Sequence, residues 1–209
     1  ETTASASVRL RAEDWHDERL TDVTHLCGLT WRPAGETATD RTVEVEAVVT
    51  APATIGPAMR LLIVGVNPSP KSAETMVPFG RNGNRFWPAV LRAGLATVDR
   101  DPADLLEHGR VGMADLSKIV TRRADEVPVA ELAAGFERLG RIVTWLRPAV
   151  VAVLGVTAWR TATGERSVAL GRQPTDLAGV PLWILPNPSG LNAHTSVDDM
   201  AERLAAAVG

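Results

Sequence analysis

Three loops carry the residues whose types and spacing lend themselves to chemistry. The first, Gly65-Val66-Asn67-Pro68-Ser69-Pro70-Lys71-Ser72, is one residue away from G-x-x-x-x-G-K-[ST], the phosphate-cradling loop of nucleotide triphosphatases. That cradle works because successive backbone N–H groups point at phosphate oxygens. Here Pro68 and Pro70 each remove a donor, Pro70 occupies the glycine position, and Ala73 to Gly83 reads as loop rather than helix. A triphosphate site is therefore the weaker reading. The same loop sets a neutral amide, Asn67, at the end of an apolar run, and an aromatic, Phe79, follows on a basic stretch. Residues 67–92 hold Lys71, Arg81, Arg85 and Arg92 against the single acid Glu74. A ring flanked by cations suits a stacked nucleobase with its phosphates held outside, although ordinary solvated charge has the same pattern.

A second basic group, Lys118, Arg122 and Arg123, has no acid between Ser117 and Arg123. The third loop, Asn187-Pro188-Ser189-Gly190-Leu191-Asn192-Ala193-His194, puts an apolar residue without periodic partners into a polar segment. Leu191 is either folded back on the core or is a wedge of the kind that unstacks base steps. A Ser189, His194, Asp198 triad is discounted, because members crowded into ten residues of one loop do not reach a common geometry and no nucleophile elbow is present.

The elements expected to hold these loops alternate from Leu61 onward. Leu61 to Val66, Gly109 to Leu116, Ala149 to Leu154 and Leu182 to Leu185 read as strands, the first and last two as nearly continuous apolar runs. Asn84 to Leu95, Val129 to Leu146 and Val156 to Thr163 read as helices. Ser196 with Asp199 forms a capping box before a last helix, Val197 to Val208. Buried strands alternating with helices indicate an α/β fold with three layers, a short, mostly parallel central sheet flanked by helices. Such sheets bind ligands beyond the carboxyl ends of their strands, which would bring the loops after Val66 and Leu185 to one crevice.

Composition removes other classes. The chain has 209 residues, a net charge of −3, one Cys, no Tyr and 22 basic residues, of which only Lys71 and Lys118 are lysines. A lone Cys27 supplies neither a disulfide nor a thiolate metal or iron–sulfur site. His16 and His25 near it lack paired ligand spacing and read as surface histidines. No run approaches the roughly 20 apolar residues that span a bilayer, so a cytoplasmic protein, nucleoid-associated if bacterial, is expected. Residues 1–60 carry a balance of −4, which leaves +1 for the remainder. They show a strand-like alternation at Thr42 to Val49 and a Pro-containing linker but no motif. The organisation expected is an N-terminal extension, 1–60, and a catalytic domain, 61–209.

Gly65-Val66-Asn67-Pro68, Pro78-Phe79, Asn84-Arg85-Phe86-Trp87 and Leu185-Pro186-Asn187-Pro188-Ser189-Gly190-Leu191, in that order, resemble the motifs of the mismatch-specific uracil-DNA glycosylases, the Mug and thymine-DNA glycosylase branch of the uracil-DNA glycosylase superfamily. Gly112 to Val127 is similar to that family's middle segment. The resemblance implies a DNA repair enzyme that flips a uracil out of a mismatched duplex and hydrolyses its N-glycosidic bond to leave an abasic site. It implies that Asn67 positions the water and that Phe79 stacks on the base. It implies further that the backbone around Val66, Ser69 and Phe79 reads the base edge, and that Asn187 faces base and sugar from the opposite loop. Ser72 and Lys118 match positions beside the pocket. Arg81, Arg85, Ser189, Gly190, Leu191, Asn192 and His194 fall on the DNA side, with Leu191 as the wedge. No cofactor or metal is implied, and a monomer acting on double-stranded DNA is expected.

An amide orients water but cannot take its proton, which implies a dissociative transition state and stabilisation of a departing uracil anion. Two lysines offer little amine for Schiff-base strand cleavage, so a monofunctional enzyme is expected. The chain departs from the family at Ser69-Pro70, where Gly is usual, and at Asn192-Ala193-His194, where an Arg often follows the wedge. Asn67 and Asn187 stand where the most active branch has Asp and His, implying slower turnover. Two other readings remain open. One is a lesion-binding protein without turnover on the same fold, and the other is a degenerate P-loop enzyme.

Overall fold

The computed structural model describes residues 4–190 and 195–209. The N-terminal part forms a three-stranded antiparallel sheet from Ser5–Arg11 (β1), Leu29–Glu36 (β2) and Asp40–Ala47 (β3), in the order β1-β3-β2. Pro33 is accommodated because β2 is an edge strand with a register shift between Pro33 and Gly35. Helix Asp17–Cys27 (α1) starts at His16, whose Nδ1 accepts from Arg19 N, and ends at Gly28 in the left-handed region (φ 69°).

Side chains of α1 bind it to the rest of the molecule. Asp22, with 1% of its side chain exposed, accepts two hydrogen bonds from Arg141, at 2.7 and 2.8 Å. His25 is not a surface histidine: its Nε2 lies 2.8 Å from Arg138 Nη1. Burial, aided by the charges of Arg138 and Lys118, lowers its pKa to about 4. The main chain joins in before Leu61, since Ala53 N donates to Leu26 O and Thr54 exchanges both backbone hydrogen bonds with Met113.

The second sheet contains Leu61–Gly65 (β4), Val111–Asp115 (β5), Val151–Leu154 (β6), Gly171–Arg172 (β7) and Leu182–Leu185 (β8), in the order β5-β4-β6-β8-β7. Only β7 is antiparallel. Alternate residues of each strand face opposite layers. Leu61 and Ile63 pack with Phe86, Trp87, Leu105, Met200 and Leu204, whereas Leu62 and Val64 pack with Leu132, Leu139, Ile142 and Trp159. The first layer comprises Phe86–Arg92, Pro102–Gly109 and Val197–Val208; the second comprises Val129–Leu146 and Val156–Thr163. With Pro70–Thr75 as α2, these are α3, α4, α7, α5 and α6 respectively. The three-layer α/β/α expectation holds, and the capping box at Ser196 and Asp199 is present.

Two local readings need correction. Ala73 to Gly83 is not all loop, because α2 begins at Pro70. Ser69 caps it, accepting from Ser72 N at 3.2 Å, and a proline in the first helical turn gives up an N–H that would lack an intrahelical partner in any case. The alternation near residue 42 lies two residues earlier than expected, in β3. Among the described residues no helix is long and apolar enough to cross a membrane.

Candidate active site

Chain order puts β5 on one side of β4 and sends the chain to β6 on the other. The sheet therefore has a switch point at the carboxyl ends of β4 and β6, where neighbouring connections diverge and leave a crevice. A cleft of about 900 Å³ opens there, walled by the loops that follow β4, β5, β6 and β8. Val66, Asn67, Ser69, Ser72, Phe79, Arg81, Asn187 and Ser189, all singled out in the sequence, line it.

Asn67 sits directly beyond β4. Its Nδ2 donates to Thr121 Oγ1 at 2.7 Å, to Ile119 O at 2.9 Å and to Pro68 O at 3.2 Å. Thr121 in turn donates to Arg123 O at 2.7 Å, so its hydroxyl oxygen is oriented to receive the amide. With both amide protons committed, Oδ1 is the end of Asn67 left to accept from a water or ligand. Thr121 was not singled out in the sequence. The signal available was a hydroxyl just past a strand end, too common to weigh.

Phe79 adopts a left-handed backbone (φ 56°), a conformation costing about 1 kcal/mol or more for a residue with a side chain. Its surroundings explain how it is held. The ring lies 4.4 Å from that of Phe86, centroid to centroid, Phe86 meets Trp87 edge-on, and Trp87 Nε1 donates to Pro78 O at 2.8 Å. Asn84 Oδ1 accepts from Phe86 N at the start of α3. Arg85 N donates to Pro188 O, and Arg85 Nη1 donates to Ser189 O at 3.0 Å. The Asn84-Arg85-Phe86-Trp87 motif thus braces the aromatic wall and ties it to the loop after β8. Arg85, expected on the DNA side, is half-buried in that brace.

The two walls meet closely. A Cβ at Gly190 would lie 2.7 Å from Gly83 O, so only glycine fits. Asn187 Oδ1 accepts from Ser189 N at 2.9 Å, setting the turn of its loop. Gly155, at the end of β6 with φ 128°, lies between them: a Cβ there would be 3.6 Å from Val66 Cγ2 and 3.9 Å from Asn187 Nδ2. Ser72 is buried, its Oγ 3.1 Å from Ser69 Oγ.

Lys118 is the residue whose placement differs most from expectation. It is not part of an exposed basic patch and does not line the cleft. Its Nζ donates to Ala51 O at 2.8 Å and lies 3.5 Å from Asp115 Oδ2, with both side chains more than nine-tenths buried. Arg81 and Arg122 are exposed at the rim, and Arg123 is paired with Asp125. Lys71 turns to Glu74 on the surface, 3.1 Å away, so the near-match to a P-loop places no amine over a phosphate cradle. Leu191, Asn192 and His194 lie outside the described residues.

Asp115, the last residue of β5, also escaped the sequence reading. It is in register with Gly65 and lines the cleft. A Cβ on Gly65 would stand 2.4 Å from Asp115 Oδ1 and 3.0 Å from Phe79 Cζ; glycine there lets carboxyl and ring close over the strand end. Burial pushes the Asp115 carboxyl above the usual carboxylate range, and Lys118 opposes that push. Among the described residues no group of His, Cys, Asp and Glu could hold a metal ion.

The family model described as the uracil DNA glycosylase superfamily matches residues 52–207. The chain belongs to that superfamily. The match begins where Ala53 and Thr54 join the core, earlier than the Leu61 boundary read from the sequence. Superfamily membership makes the chain a DNA glycosylase, a hydrolase of base excision repair.

Proposed function

We propose that this superfamily member releases uracil from mismatched double-stranded DNA, as a monomeric, monofunctional enzyme of the mismatch-specific branch. The observation that carries this reading is the fixed Asn67 amide: a side chain that cannot act as a base is held with its acceptor end available at the strand terminus, in the same cleft as Phe79. In that arrangement the flipped nucleotide places its base against Phe79. Asn67 Oδ1 accepts from a water on the sugar side, and bond breaking leads, with the nucleophile oriented rather than deprotonated. Uracil suits this chemistry because its anion is a better leaving group than that of cytosine. Asn187, from the opposite wall, contacts base and sugar. Arg81, Ser189 and Gly190 at the rim, with Leu191, Asn192 and His194 beyond the described residues, meet the duplex. Neither lysine lines the cleft, which supports hydrolysis without strand cleavage.

The test is release of an abasic site from a labelled duplex. G·U, A·U and single-stranded uracil substrates are incubated with the chain and then treated with alkali. Alkali-dependent cleavage, strongest for G·U, is expected. Absence of product from all three, or tight binding to the lesion without base release, would overturn the uracil reading.

A further inference from the structure

Asp115 is the one charged side chain more than nine-tenths buried among the described residues lining the cleft; Arg81, Arg122, Arg123 and Asp125 are exposed at its rim and Arg203 is half-buried. Only 6% of its side chain is accessible, and it faces the space shared by Gly65 and the edge of the Phe79 ring. Oδ2 looks toward Lys118. Oδ1 accepts no hydrogen bond from the described residues and is not sealed off, since Arg19 Nε is the one fully buried side-chain N or O atom among them without a partner; Oδ1 is an acceptor open to the cleft that Asp115 lines. We propose that Asp115 selects the base: its carboxylate accepts a hydrogen bond from a ring N–H on the edge of the base stacked on Phe79. The cleft would then take imide and lactam bases, of which uracil and hypoxanthine are examples, and reject their N-alkylated forms.

A bare carboxylate beside a departing base anion would oppose the reaction. Lys118 removes that objection. Its ammonium is 3.5 Å from Oδ2 and is fixed from behind by Ala51 O, so the pair as a unit brings almost no net charge to the cleft. The carboxylate therefore supplies an acceptor without an uncompensated field. Gly65 completes the arrangement, since any side chain there would strike Oδ1. A site built around an acceptor discriminates strongly, because a ligand lacking the donor leaves a buried group unpaired.

This inference rests on the glycosylase reading, and its test separates the two. Release of uracil and 3-methyluracil, and of hypoxanthine and 1-methylhypoxanthine, is measured from the same duplex context by single-turnover kinetics. The wild-type chain is compared with Asp115→Asn, Asp115→Ala and the double variant Asp115→Ala/Lys118→Met, which leaves no orphaned ammonium. Taking the ratio within each pair, then between variants, cancels differences in flipping. The wild type is expected to favour the N–H member by about 100-fold or more, and the two alanine variants to reduce that preference below about tenfold. Asp115→Asn, which keeps an acceptor oxygen, retains the preference. Equal loss on both members of a pair would make Asp115 merely structural, and a loss of more than about 100-fold on uracil in Asp115→Asn would make it a general base; either result overturns the proposal. If the wild type releases no uracil, the uracil reading fails and the hypoxanthine pair decides the role of Asp115. Release of no N–H base at all overturns both.

Discussion

Thr121 Oγ1 receives the Asn67 amide nitrogen at 2.7 Å, and that contact, with Ile119 O and Pro68 O, sets which end of Asn67 meets the cleft. Thr121→Val keeps the shape of the side chain but removes the nearest of three acceptors, leaving Ile119 O and Pro68 O to hold the amide less firmly. We expect the rate of base release to fall about tenfold, roughly the value of one positioned hydrogen bond, with little change in DNA affinity. Thr121→Ser should restore most of the rate. Single-turnover kinetics alongside fluorescence binding would check both.

The Trp87 indole supports the Phe79 loop through Pro78 O, 2.8 Å away. Trp87→Phe leaves that buried carbonyl without its donor, at a cost of about 1–3 kcal/mol. Urea unfolding should show the lower midpoint. Base release should fall by more than stability alone explains, because Phe79 is already held in a left-handed conformation.

Gly190→Ala would bring a methyl group within 2.7 Å of a backbone oxygen, that of Gly83, which has no flexible side chain to yield. The two walls must part. Activity on duplex substrate is expected to fall about tenfold or more while the thermal midpoint moves by only a few degrees, since both glycines lie outside the hydrophobic core.

His25 makes the join to α1 sensitive to acid. Its folded-state pKa of about 4 lies below the ordinary value of 6.5, so the folded protein binds fewer protons than the unfolded chain between those values. Its contribution is present in full above about pH 6.5 and is lost as pH falls toward 4, by up to about 2 kcal/mol after allowance for partial exposure. Urea titrations at pH 7 and pH 5 should show the drop. His25→Asn should flatten it, and an undiminished drop in that variant would assign the acid sensitivity elsewhere.

Much of the central sheet could be read directly from the chain. Leu182–Leu185, Val129–Leu146, Val156–Thr163 and Val197–Val208 have the bounds their periodicity, stops and caps imply, because each is a strongly patterned element packed on one core. The N-terminal sheet was harder. The strand β1 does alternate Ala6, Val8 and Leu10 with polar residues, but it buries almost none of them and its short pattern was not weighed, while Pro33 in β2 argues against a strand until its edge position is known. The Asn67, Phe79 and Asn187 loops were visible as motifs. Asp115 and Lys118 were not legible as a pair: nothing in Ala114-Asp115-Leu116-Ser117-Lys118 marks one side chain as facing a cleft and the other as sealed behind it. Arg85 similarly has the composition of a phosphate contact and the geometry of a brace.

The central claim is that Asn67 orients the attacking water without being needed to hold the DNA. Asn67→Ala, assayed on a G·U duplex under single-turnover conditions with affinity measured on the same preparation, tests it most directly. The account predicts a rate loss of about 100-fold or more with affinity within about threefold of wild type. Undiminished base release, or rate and affinity falling in parallel, would contradict it.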